Sequence, residues 1–206
     1  MTLSLETLRR DGDAFHEMLS RELYASGAGL KNTAELQPIY ARFANILNDD
    51  ALAMVREMYR DAAPGSEEQR VARILLEWQA DARVSRELAA LDEREIAWES
   101  SAVARVDDGR GIQYQQIAIE IANAGDREER MRLERARATL VGGELAPMRR
   151  ERFQREKDIV EGLEIAGSFN ATFAALSGVD LPALVAECKA FLRDTQAMWD
   201  DVFTEV

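Results

Sequence analysis

Apolar residues recur at three- and four-residue intervals over most of this chain, the spacing that lines them up along one face of an α-helix. The first run carries Phe15, Met18, Leu19 and Leu23 and stops at Gly27-Ala28-Gly29. A second begins at Asn32-Thr33, sets Leu36, Ile39, Tyr40, Phe43, Ala44 and Leu47 on one stripe, and is closed by Asn48-Asp49-Asp50. Leu52, Val55, Met58 and Tyr59 form a third, ending before Pro64-Gly65. Ser66 and Gln69 then stand at the spacing of a capping box, in which each side chain satisfies a free backbone amide. Behind them Val71, Ile74, Leu75, Trp78, Ala82 and Leu88 predict a long helix with a buried face that persists to about Leu91.

The helical period then fails. Ile96, Trp98 and Ala102-Val103-Ala104-Arg105-Val106 lose it, and Asp107-Asp108-Gly109-Arg110-Gly111 is a turn signal followed by Ile112-Gln113-Tyr114. This predicts a β-hairpin near residues 98–114. A short helix with Ile117 and Ile121 follows. Asp126 and Glu129 repeat the capping-box spacing and open a helical stretch through Leu133, Leu140, Val141, Leu145, Met148 and Phe153 to Leu163. Within it, Gly142-Gly143 and Pro147 predict a kink or break near Gly143, because proline lacks an amide hydrogen and crowds the preceding turn. Gly167 ends the stretch, and Phe169 to Leu176 forms a short helix closed by Ser177-Gly178.

The last helix starts at Asp180, a good N-cap, with Pro182 in its first turn. Leu184, Val185, Cys188, Phe191, Leu192, Thr195, Met198, Trp199 and Val202 make the clearest amphipathic stripe in the chain, which predicts a packed thiol at Cys188. The expected fold is mainly α: an elongated multi-helix bundle with one small hairpin. It is read as a single domain over residues 1–206, divisible into sub-bundles 1–97 and 115–206 joined through the hairpin. No internal repeat at solenoid periods is visible.

Charge narrows the range of partners. The formal net charge is -12, which repels nucleic acid phosphates and anionic lipid and argues against both. Arg149, Arg150, Arg152 and Arg155 cluster, but Glu144, Glu151 and Glu156 sit among them, so they read as ion pairs within one helix. Glu93-Arg94-Glu95 and Glu128-Glu129 read as solvated, salt-bridged faces. No apolar run approaches the roughly 20 residues a membrane helix needs. The opening Met1-Thr2-Leu3-Ser4-Leu5-Glu6 lacks a basic segment followed by an apolar one, and a lone cysteine suits a reducing compartment, so the expected location is cytoplasmic.

Candidate chemistry is limited by what is missing. With one histidine, His16, and one cysteine, Cys188, the chain cannot assemble the usual ligand set of a catalytic zinc. Any histidine-based nucleophile would have to use His16, which reads as an ordinary helix residue. A carboxylate-bridged metal pair needs two Glu-x-x-His motifs; Asp13-Ala14-Phe15-His16 is the one approach to that pattern. The two glycines of Asp107-Asp108-Gly109-Arg110-Gly111 lack the strand-loop-helix setting and lysine of a phosphate loop. No His-Glu-x-x-His, Gly-x-Ser-x-Gly or dinucleotide fingerprint occurs. No residue is assigned a catalytic, cofactor-binding or metal-binding role.

Several segments resemble a known family. Gly27-Ala28-Gly29-Leu30-Lys31 followed by Leu36-Gln37-Pro38-Ile39-Tyr40 is similar to the opening helices of the oligoendopeptidase F and thimet-oligopeptidase group of zinc metallopeptidases. Ile121-Ala122-Asn123-Ala124-Gly125-Asp126-Arg127-Glu128-Glu129-Arg130 looks like that family's passage from a strand pair into a helix, often marked by an Ala-Asn-Glu-x-Asp-Arg run. Ala174-Ala175-Leu176-Ser177-Gly178-Val179-Asp180-Leu181, with Phe191-Leu192-Arg193-Asp194-Thr195 after it, is similar to a segment just before the catalytic portion. The resemblance spans the chain but covers only the family's non-catalytic amino-terminal helices. It implies a wall of a channel for short peptides, with the hairpin rim pairing extended backbone. Zinc and its ligands would belong to a downstream catalytic region. The competing expectation is a free-standing helical module that binds partners or forms a homodimer through exposed apolar helix faces, Trp199 and Phe203 foremost.

Overall fold

The computed structural model describes residues 4–204. Met1–Leu3, part of the opening read for a secretory signal, and Glu205–Val206 lie outside the described residues. The molecule is an elongated, mainly α bundle with one small hairpin and is 78% helical. In chain order the elements are α1 (Leu5–Gly27), α2 (Leu36–Arg42), α3 (Asp49–Asp61), α4 (Glu67–Ser101), β1 (Val103–Arg105) and β2 (Gly111–Gln113). Then come α5 (Tyr114–Asn123), α6 (Arg127–Leu140), α7 (Ala146–Gly162), α8 (Phe169–Ser177) and α9 (Leu181–Thr204).

Most helix starts are set by side chains that accept from otherwise free amides. Ser4 Oγ accepts from Thr7 N at 3.2 Å and Asn48 Oδ1 from Ala51 N at 2.9 Å. At α4, Ser66 Oγ takes the Gln69 amide at 3.1 Å, while Gln69 Oε1 reaches past Ser66 to the Gly65 amide at 2.8 Å. Asp126 caps α6 through the amides of Glu128 and Glu129, both at 3.2 Å. The Glu129 carboxylate does not return to Asp126 as a capping box requires. It binds Arg110 and Arg132 instead, tying the hairpin turn to α6.

Helix α2 is shorter than its apolar stripe. It begins at Leu36 and ends at Arg42, and Phe43 to Leu47 continue as turns whose side chains Phe43, Ile46 and Leu47 are still buried. Glu35, its N-cap, supplies no side-chain cap. Glu93 on α4 does so from across the interface: its Oε1 accepts from Leu36 N at 2.6 Å and Gln37 N at 2.8 Å. Glu93, expected on a solvated face, is thus a cap supplied from another helix.

Helix α4 runs ten residues beyond the expected end of its stripe, through Trp98 to Ser101. The hairpin is correspondingly short, pairing Val103 with Gln113, Ala104 with Ile112 and Arg105 with Gly111. Trp98 stays helical because its ring stacks on Tyr114 at 4.9 Å and its indole donates to Glu144 at 2.7 Å. The buried face of α4 is also rotated from the expected one. Ala72, Leu76, Gln79, Ala80, Ala82, Val84, Leu88 and Ala89 are buried, whereas Val71 and Ile74 are exposed. Small residues let the neighbouring helices approach closely, so the alanines count for more here than the larger residues beside them.

The stretch from α6 to α7 does not break. A single π turn over Val141–Leu145 links them, with the Ala146 amide donating to the Val141 carbonyl. The wide turn absorbs the crowding from Pro147, which sits in the first turn of α7, where a missing amide hydrogen costs little.

Two hydrophobic clusters result. The larger joins α1, α2, α3 and α4 around Leu8, Phe15, Ile46, Val55 and Leu88, and Ile159, Val160 and Leu176 from α7 and α8 pack against it. The smaller gathers Ala104, Val106, Ile117, Leu133 and Ala136 under the hairpin. Helix α9 buries no side chain.

Candidate functional site

Two features are not explained by packing alone. The first is a cleft of about 440 Å³ formed where α4, α7 and α8 meet. Helix α4 contributes Trp78 at its floor, fixed by close approach of α1: a Cβ placed on Gly12 would stand 3.2 Å from the Trp78 ring. Helix α8 is anchored beside it because Arg73 donates to the Leu176 carbonyl at 2.7 Å. Phe169 and Phe173 of α8 and Val160 of α7 complete a mostly apolar wall.

Three carboxylates interrupt that wall: Glu77 and Asp81, one turn apart on α4, and Glu156 on α7. Arg152 pairs with Glu156 at 2.8 Å, and Arg73 stands 3.7 Å from Glu77. Asp81 has no salt bridge among the described residues. Asp81 is an exposed residue that lines the cleft. Desolvation there, then the charges of Glu156 and Glu77, hold its pKa above the ordinary aspartate value, with His16 pulling weakly the other way. On the α8 side, Thr172 is fully buried and its hydroxyl has no hydrogen-bond partner among the described residues.

The second feature is α9. Phe191, Leu192, Trp199 and Phe203 are each more than three-fifths exposed, and Leu184, Val185, Met198 and Val202 are exposed with them. Trp199 and Phe203 stack at 4.7 Å and form an aromatic end to the helix. Cys188, expected as a packed thiol, is exposed. The stripe is as regular as expected, but among the described residues no side chain of α9 is buried by another element. A contiguous apolar surface of this kind marks an interaction site more often than an inert face.

His16 is exposed on α1 and Cys188 on α9. Among the described residues, no group of three or more His, Cys, Asp or Glu is placed to hold a metal ion. The arginine cluster acts differently from expectation. Arg149 binds Glu95 at 2.7 Å and Glu99 at 3.1 Å, Arg152 binds Asp92 at 2.6 Å, and Arg94 binds Glu151 at 2.5 Å. These pairs zip α7 to α4, and Arg152 with Glu156 is the pair within the helix. Charges of opposite sign face each other across two adjacent helices, an arrangement that spacing within one helix does not reveal.

No single helix among the described residues is long and apolar enough to cross a membrane, and α8 with α9, apolar enough together, are bent by 89° at their junction. Compared with known protein families, curated proteins and solved structures, the chain matches none. Sequence named Ile74, Trp78 and Phe169 only as helix residues and Glu156 only as an ion-pair partner, and gave no cleft residue a binding role. Glu77 and Asp81 flank Trp78 at helical spacing, a faint signal, but Glu156 and Thr172 join them only through the docking of α7 and α8.

Proposed function

We propose that the chain is the non-catalytic amino-terminal helical domain of an oligopeptidase-like zinc metallopeptidase, forming part of the wall of a peptide-binding channel. The observation that carries this reading is the uncovered apolar face of α9 on an otherwise packed bundle. The resemblance of the motifs from Gly27 to Thr195 supplies the family. In this reading α9 is the docking helix, and a catalytic region on the same polypeptide covers Phe191, Leu192, Trp199 and Phe203. The zinc ligands belong to that region.

The test is to express the natural reading frame beyond Val206, assay zinc-dependent cleavage of a short quenched-fluorescence peptide, and compare Cys188 alkylation with that of the 206-residue chain. Peptide cleavage together with a protected Cys188 is the expected result. A reading frame without a zinc-binding helix, or a Cys188 that reacts equally fast in both proteins, overturns the proposal.

A second reading, a self-associating or partner-binding helical module, is favoured by the spacing along α9. Cys188, Phe191, Thr195, Met198 and Val202 follow the alternating three- and four-residue steps of a helix-pairing seam. An antiparallel copy centred on Thr195 sets Lys189 opposite Asp201. Sedimentation velocity over a concentration series decides it: a reversible dimer lost in Phe191→Ser supports this reading, and a monomer throughout removes it.

A further inference from the structure

The cleft between α4, α7 and α8 is the right size for a small molecule, within the roughly 300–1,000 Å³ range of ligand pockets. Its wall is apolar and aromatic, with Trp78, Phe169 and Phe173 offering ring surface. All its charged lining residues, Glu77, Asp81 and Glu156, are acidic. Glu77 and Glu156 are partly satisfied by Arg73 and Arg152, whereas Asp81 has no salt bridge among the described residues. A fully buried hydroxyl on a residue lining the cleft, that of Thr172, has no partner among the described residues. An unpaired buried polar group is costly and rare in native proteins, so one on a cavity wall points to a group that completes it.

We propose that this cleft binds a small organic monocation: a primary amine carried on an aromatic or branched aliphatic body. The ammonium is held by Asp81, with Glu156 and Glu77 adding to the field. The apolar body lies against Trp78, Phe169 and Phe173, where a cation near the ring faces is also favoured. The Thr172 hydroxyl completes the polar contacts. An anion is rejected by three carboxylates, and a neutral isostere leaves Asp81 uncompensated. The proposal stands apart from the peptidase reading, since it concerns residues of this chain alone and holds whether or not α9 is covered.

The experiment uses the 206-residue chain, labelled with nitrogen-15, and three probes of matched shape: phenethylamine, 2-phenylethanol and phenylacetate. The expected result is a saturable set of shifts at the Trp78 indole and the Thr172 and Phe173 amides with phenethylamine. The alcohol binds about tenfold more weakly, the difference of one charge-assisted hydrogen bond. Phenylacetate gives no shifts there. Asp81→Asn weakens the amine about tenfold while leaving the alcohol unchanged, and Thr172→Val weakens both. Glu134→Gln, on α6 and remote from the cleft, leaves all three probes as they were. Alcohol and amine binding equally well, shifts that fail to saturate, or no shifts at the cleft would each overturn the proposal on the unaltered chain, whatever the variants do.

Discussion

Helices α4 and α9 look alike as sequence and behave as opposites in the fold. Both are long, both begin from a polar cap, and both carry a regular apolar stripe. Helix α4 is the spine of the bundle: α3 and α7 lie along it, α2 takes its cap from it, and Leu88 and Leu76 are almost wholly buried. Helix α9 leaves Phe191, Trp199 and Phe203 in solvent. The difference lies in side-chain size and ionic zippering. Helix α4 buries Ala72, Ala80, Ala82 and Ala89, which admit neighbouring backbones, and presents Asp92, Glu95 and Glu99 to the arginines of α7. Helix α9 presents large side chains that need a groove, and no described element supplies one. Amphipathicity therefore states that a face wants cover; it does not state which surface provides it.

The sharpest way to break this contrast is to delete equivalent leucines. Leu88→Ala on α4 removes a side chain that is 1% exposed and leaves a cavity in the core, at a cost of about 2–5 kcal/mol. Leu192→Ala on α9 changes the stability of the same chain by no more than about 0.5 kcal/mol. Urea unfolding of the two variants measures both. Equal losses would mean that α9 is covered in solution by a second copy or by the bundle itself.

A cap supplied from another helix is the next test. Glu93→Ala leaves the amides of Leu36 and Gln37 without their acceptor and should cost about 1–2 kcal/mol. Hydrogen exchange should rise across α2 and leave α9 unchanged. A loss spread evenly over the bundle would show that Glu93 holds more than one helix start. Gly178, the C-cap of α8, comes third. Its φ of 67° is left-handed, and an added Cβ would meet Arg73 at 3.4 Å. Gly178→Ala should cost about 1 kcal/mol by chemical denaturation, loosening α8 at the edge of the cleft.

These variants also mark where sequence reading succeeds. The cap residues Ser66, Asn48 and Asp126 announce helix starts locally, and the turn over Asp107 to Gly111 announces the hairpin, because a few neighbouring residues decide each of them. Helix ends were less legible. Helix α4 runs on to Ser101 because Trp98 finds Tyr114 and Glu144, which lie in other elements. The π turn was half legible: Gly142, Gly143 and Pro147 mark a disturbance, but whether it breaks or widens the helix depends on packing of the adjoining turns. The cleft was hardly legible at all. Its carboxylates come from two helices and its orphan hydroxyl from a third, so no local pattern contains it.

The smallest expected effect concerns Asp81, a carboxylate of α4 that has no salt bridge among the described residues. Asp81 has its pKa raised, first by desolvation and then by Glu156 and Glu77, so its folded-state value lies above its unfolded one. The folded chain then binds the proton more readily, and the ionised group weighs against folding at neutral pH. As pH falls through the folded-state pKa, that penalty is relieved, and below the unfolded pKa both states are protonated and the relief is complete. Asp81→Asn should therefore stabilise the chain slightly at pH 7, with a margin that narrows as pH is lowered toward the ordinary aspartate range. The carboxyl is open to the cleft, so solvent screening keeps the effect small. Parallel urea titrations of the two chains from pH 7 to about pH 4 measure it. An Asn variant less stable at neutral pH would mean that Asp81 has a partner in the folded chain. A saturating amine should remove the Asn variant's advantage, since a bound cation stabilises the ionised aspartate and has no hold on the amide.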